Sequence, residues 1–147
     1  MRKRSLARDY ALKILYQADI TQRKIETATQ LFWATDDENV DSEVKAFTNQ
    51  LLSGIETNLE SIDQQISKYA ANWQLKRMAV IDRNILRLGV YELLFAIDIP
   101  PKVTINEAVE LAKRYGDFES SKFVNGILDK IHKTESLPDG KVEREIS

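Results

Sequence analysis

Apolar residues recur at spacings of three and four along most of the chain, the pattern of helices that bury one face. Ala7, Tyr10, Ala11, Ile14 and Ala18 form a stripe that predicts a first helix over about 5–20, with Leu12, Tyr16 and Ile20 on its opposite side. That helix is either buried on both faces or carries an exposed apolar patch. Ile25, Ala28, Leu31 and Phe32 predict a short second helix, and the polar stretch 35–41 reads as a solvated loop. Val44, Phe47, Leu51, Ile55, Leu59, Ile62, Ile66 and Tyr69 continue the periodicity. Gly54 and the capping-box spacing Thr57-x-x-Glu60 divide this run into two helices meeting near Thr57.

Residues 78–97 are apolar nearly all round, with Ile81, Ile85, Leu88 and Phe95 on one side and Leu86, Val90, Leu93 and Ile97 on another. Such a helix belongs at the centre of a bundle, and Pro100-Pro101 is expected to end it. A second capping box, Thr104-x-x-Glu107, predicts the start of a helix that buries Ile105, Ala108, Val109, Ala112 and Tyr115 and stops at Gly116. The last helix, about 119–133, buries Val124, Ile127, Leu128 and Ile131. Gly126 in its middle costs about 1 kcal/mol relative to Ala, which points to a close backbone approach there. Residues 135–147, broken by Pro138-Asp139-Gly140, read as a polar flexible tail. Seven helices result, with no alternating strand and no fixed-period repeat, so the expected class is all-α.

At 147 residues the chain is long enough for one compact unit or two small lobes. It has no Cys, which excludes disulfides and thiolate metal sites and suits the reducing cytosol. The longest apolar stretch carries Asp82, Arg83, Arg87 and Glu92, which would be costly in a bilayer, so no membrane span is expected. Charge is unevenly placed: residues 1–25 hold seven Lys or Arg against two Asp, whereas 26–66 hold nine Asp or Glu against Lys45 alone. The basic end suits a polyanion and the acidic middle does not.

One His and no Cys leave little for acid–base or nucleophilic catalysis, so no catalytic residue, metal or cofactor is expected. His132 reads as solvent-facing. Asp36-Asp37-Glu38 is either a hard-cation site or a solvated acidic loop, the latter being the commoner use of such a run. Arg2, Lys3, Arg4 and Arg8 cluster at the first helix, with Arg4 and Arg8 one turn apart on the same face. They form either a phosphate-binding cluster or a solubilising terminus. Phe123 lies about 100° off the core stripe of the last helix, beside Lys122, and is either a base-stacking ring or a flank of the core.

Together these residues carry a resemblance. Arg4-x-x-x-Arg8-x-x-Ala11-x-x-x-Leu15-Tyr16, Ile81-Asp82-Arg83-x-Ile85-Leu86-Arg87-Leu88-x-x-Tyr91-Glu92-Leu93, Asp98-Ile99-Pro100, Ile105-Asn106-Glu107-Ala108-Val109-Glu110-Leu111-Ala112-Lys113 and Lys122-Phe123-Val124-Asn125-Gly126-Ile127-Leu128-Asp129-Lys130 resemble the bacterial NusB antitermination family over nearly the whole chain. The resemblance implies a seven-helix fold of two small bundles packed as one unit, about 1–72 and 73–134. It implies a cytoplasmic, non-enzymatic factor that binds the single-stranded boxA element of nascent transcripts together with ribosomal protein NusE, which links the RNA to RNA polymerase. By the same resemblance Arg2, Lys3, Arg4, Arg8, Tyr115, Glu119, Lys122 and Phe123 meet RNA, while Tyr16 and Asp82 lie at the NusE surface. Ser5 and Leu6 stand where family members often carry further arginines, which shifts RNA affinity towards dependence on NusE. Two other readings are an RNA-binding module like the N-terminal domain of rRNA cytosine methyltransferases, and a structural helical oligomer using the Leu12, Tyr16 and Ile20 face.

Overall fold

The computed structural model describes residues 2–36, 39–70, 75–96 and 98–135. Among them are seven α-helices and no strand: α1 (Lys3–Thr21), α2 (Ile25–Asp36), α3 (Ser42–Thr57), α4 (Leu59–Tyr69), α5 (Val80–Phe95), α6 (Pro101–Tyr115) and α7 (Ser120–Glu135), with one 3-10 turn at Leu75–Arg77. The chain divides into two compact units, Met1–Thr57 and Asn58–Ser147. The division expected near residue 72 lies at Thr57 instead, because α4 packs against α5 and α7. Of the expected tail, Glu135 closes α7, and its carboxylate takes Lys68 Nζ at 3.0 Å and the Tyr69 hydroxyl. The rest of that tail, like Asp37 and Glu38 of the acidic run, lies outside the described residues.

In the first unit, α1 lies against α2 and α3. Ala7, Ala11 and Ala18 are buried on the predicted stripe, and their small side chains let the partner helices approach. Leu12 and Leu15 are buried too, so α1 is covered on more than one face, while Tyr16 and Ile20 stay exposed at the helix's far end. Thr48 is fully buried on α3, its hydroxyl donating to the Val44 carbonyl at 2.7 Å and lying 3.3 Å from that of Ala7. Tyr10, Phe32 and Trp33 form an edge-packed aromatic group with centroids 5.1–5.8 Å apart. The Trp33 indole N–H is satisfied by Asn49 Oδ1 at 2.8 Å.

In the second unit α5 packs against α4, α6 and α7, as its all-round apolar sequence predicts. Ile85, Leu86, Leu88, Val90 and Leu93 are all buried, each contributing about 1.5–3 kcal/mol of burial free energy. Three of its polar groups, Arg83, Arg87 and Glu92, are answered internally. The Thr104 hydroxyl donates to Glu92 Oε1 at 2.8 Å, and Arg87 makes a two-pronged contact with Asp63 at 2.8 and 3.0 Å. Arg83 Nη1 donates to the Leu75 carbonyl at 3.0 Å.

Several local expectations change. Thr57 ends α3 and Asn58 precedes α4 without a side-chain cap, so the first capping box does not form. Pro100 and Pro101 open α6 and do not end α5: Pro101 takes the first helical position, where its missing N–H costs nothing. Thr104 therefore sits inside α6 and spends its hydroxyl on Glu92. His132 is only partly exposed, and its Nδ1 is buried with no hydrogen-bond partner among the described residues, so it is not simply solvent-facing. A Cβ at Gly126 would meet nothing within 4 Å, whereas one at Gly89 would fall 2.6 Å from Leu128 Cδ1. The close approach lies at Gly89 of α5.

Gly126→Ala should therefore raise the chemical-denaturation midpoint, with a gain of up to about 1 kcal/mol from helix propensity. Gly89→Ala should lower it, at a cost of about 1–3 kcal/mol from overpacking against the buried Leu128. Equal effects from the two substitutions would remove Gly89 from its assigned role.

Candidate nucleic-acid interface

On the first unit, Arg2, Lys3 and Arg4 are exposed around the start of α1. Arg2 ends the extended approach to the helix, and its carbonyl accepts the Leu6 amide at 2.9 Å. The Arg4 guanidinium carbon stands 4.5 Å from the Phe47 ring centroid, and that of Arg8 stands 5.6 Å from it. The predicted common face of Arg4 and Arg8 is thus real, but Phe47 of α3 occupies it. Arg8 is only 4% exposed. Expected at a phosphate, Arg8 packs its side chain within the unit in this structure, a buried cation over a ring.

Lys3 is not a bare charge either. Its ammonium pairs with Glu43 Oε1 at 3.2 Å and Asp41 Oδ2 at 3.5 Å, and Glu43, then Asp41, hold its pKa above the ordinary lysine value. Asp41 is fixed by its own task, accepting the Glu43 amide at 2.8 Å at the start of α3. Lys3, Arg4, Glu43, Phe47 and Gln50 line a shallow cavity of about 260 Å³. Two carboxylates therefore stand beside Lys3, where they would compete with an incoming phosphate.

On the second unit, Asp82, Asp117, Glu119, Ser120, Lys122 and Phe123 line a cavity of about 570 Å³ together with Met78 and Ala79. The structure thus brings Glu119, Lys122 and Phe123, expected at RNA, into one cavity with Asp82, expected at a protein partner. Lys122 and Glu119 are exposed, and Phe123 is half-buried. Tyr115, at the end of α6, is exposed with the Arg114 guanidinium carbon 5.7 Å from its ring centroid. Tyr16, expected at a protein partner, lies on the first unit and is exposed.

The turn between α6 and α7 sets this geometry. Asp117 Oδ1 accepts the amides of Glu119 and Ser120 at 3.0 and 3.1 Å and the Ser120 hydroxyl at 3.2 Å, while the Asp117 amide donates back to Ser120 Oγ at 3.0 Å. Gly116 is required beside it, since a Cβ there would stand 2.4 Å from Ser120 Oγ. Phe118 sits at the tip, 85% exposed, with Lys122 Nζ 5.9 Å from its ring centroid. Sequence reasoning passed over this ring because Phe118 lies on no helical stripe. The signal available was its place between Gly116-Asp117 and Ser120, a capped turn that leaves its middle residues outside the core.

The chain matches the NusB family over residues 5–133. The transcription antitermination protein NusB of Thermodesulfovibrio yellowstonii is 41% identical to it over 150 residues, covering 97% of this chain and 99% of that protein. The solved NusB of T. maritima is 46% identical, with a TM-score of 0.81, covering 89% of this chain and 91% of its own. A chain in the crystal structure of the antitermination factors NusB and NusE in complex with double-stranded RNA is 31% identical, with a TM-score of 0.81, and covers 90% of this chain and 98% of its own.

Burial pushes the Asp82 carboxyl above its ordinary value, the Ser120 hydroxyl opposes this, and the charge of Asp117 adds to it. Asp82 Oδ1 is buried without a hydrogen-bond partner among the described residues. A folded-state pKa raised in this way penalises the fold where the group is ionised. The penalty is absent below the unfolded value of 3.8, grows as pH rises through the folded value, and is complete above it. Asp82→Asn should therefore raise the denaturation midpoint at neutral pH, with the gain vanishing as pH falls through the carboxylate range. A gain of equal size at every pH would contradict a titrating origin.

Proposed function

The chain belongs to the NusB family, and on that footing we propose that it is a transcription antitermination factor that binds the single-stranded boxA element of nascent ribosomal transcripts together with NusE, which couples the RNA to RNA polymerase. The observation that carries this is the family match across residues 5–133, joined to exposed cations and rings at positions of the family pattern. Its work is binding, not catalysis. Acting on nascent transcripts places it in the bacterial cytoplasm. Among the described residues, no helix is long and apolar enough to cross a membrane.

Each residue has a physical task in this scheme. Arg2, Lys3 and Arg4 meet phosphates, and Arg8 supports them from within by holding Phe47. Tyr115, Lys122 and Phe123 meet the RNA on the second unit, and Glu119 borders them. Exposed rings favour an unpaired strand, whose base faces are free to stack, over an A-form duplex, whose faces are already stacked. Tyr16 and Asp82 serve the NusE surface. Binding of the two ligands is then coupled, each raising the affinity for the other by the same factor.

Titrating boxA and scrambled RNA into the protein, with and without NusE and at two salt concentrations, tests the scheme. boxA should bind more tightly than scrambled RNA, and more tightly again with NusE. The log of affinity should fall with the log of salt by about 0.7 per phosphate contact. Arg4→Ala should flatten that slope by about one contact, and an unchanged slope would remove Arg4 from the phosphate set. Glu43→Gln should act the other way, since it removes the carboxylate that stands 3.2 Å from the Lys3 ammonium. Releasing Lys3 should tighten RNA binding by a few-fold at most and steepen the salt dependence.

A further inference from the structure

Phe118 is the most exposed large hydrophobic side chain among the described residues, and it is not loosely held. Asp117 and Ser120 exchange side-chain and backbone hydrogen bonds on either side of it, and the close fit of Ser120 on Gly116 closes the turn from below. The backbone therefore holds the ring out in water. Its neighbours argue against an apolar docking patch: Asp117, Glu119 and Lys122 are all exposed and charged around it. A protein anchor would need contiguous apolar surface, whereas a base needs one free ring face and a cation for its phosphate. Lys122 supplies that cation, one helical turn away and 5.9 Å from the ring centroid.

Resting on the function proposed above, we infer that Phe118 is a stacking platform for one unpaired RNA base, with Lys122 placed for the flanking phosphate and Asp117 and Ser120 as positioning residues. The ring adds a second aromatic contact to that of Phe123, the two related through Lys122, which lines the cavity beside Phe123 and stands 5.9 Å from the Phe118 ring centroid. The preformed turn means that little ordering cost falls on the protein when the base arrives.

Fluorescence anisotropy with labelled single-stranded boxA RNA and with the same sequence as a duplex, each with NusE present, tests this on the full chain. Phe118→Ala should weaken single-strand binding about 5- to 150-fold, leave the salt slope unchanged, and scarcely alter duplex binding. Phe118→Trp should retain affinity. Asp117→Ala should weaken single-strand binding, and Asp117→Asn, which keeps the acceptor oxygen but not the charge, should restore it. Should Phe118→Ala bind boxA as the unaltered chain does, the platform is wrong while the functional reading stands. Should it instead lose only NusE capture, the ring is a protein contact and the inference also falls. No boxA binding by the unaltered chain with NusE overturns the functional reading and this inference together.

Discussion

Helix α5 is covered by three neighbouring helices, so the polar groups it buries at their centre depend on partners inside the protein, while Asp82 in its first turn is left with one oxygen unsatisfied among the described residues. Glu92, Arg87 and Arg83 find such partners by reaching α6, α4 and the 3-10 turn respectively. A buried charge or carboxylate without such a partner would cost several kcal/mol, so these contacts fix the neighbours along and around the helix as well as holding them close. Gly89 adds a steric condition, since Leu128 of α7 lies where a side chain would stand. The placement of α7, and with it of Ser120, Lys122 and Phe123, follows from how α5 is satisfied.

The functional surface of the second unit is built on that base by a different device. Asp117, Ser120 and Gly116 form a small turn held by local hydrogen bonds between Asp117 and Ser120. Such a turn can hold an aromatic ring outside the core without help from packing. Asp82 borders the same cavity with a carboxyl that burial disfavours as an anion. A partially desolvated carboxyl there can gain from a hydrogen-bond donor brought by a binding partner.

The first unit handles charge in another way. Alanines on α1 let α3 come close enough for Phe47 to receive the guanidinium groups of Arg4 and Arg8. One arginine is thereby spent on the fold and the other left at the surface. The acidic start of α3 holds Lys3, so the most basic stretch of sequence presents less free positive charge than its composition implies.

Periodicity alone determined the all-helical class, the break near Thr57, the central place of α5 and the buried stripe of α7, because a repeat of three and four is a local property of the chain. The motif blocks located the candidate site for the same reason, since they are contiguous residues. Tertiary structure decided what those residues face. Arg8 has the same sequence spacing whether its side chain meets water or Phe47, and Thr104 suits a helix cap as well as it suits a buried bond to Glu92. Gly126 and Gly89 look alike in sequence, and Phe118 belongs to no stripe at all; only the neighbouring chain, distant in sequence and adjacent in space, settles which glycine is crowded and which ring is left in water.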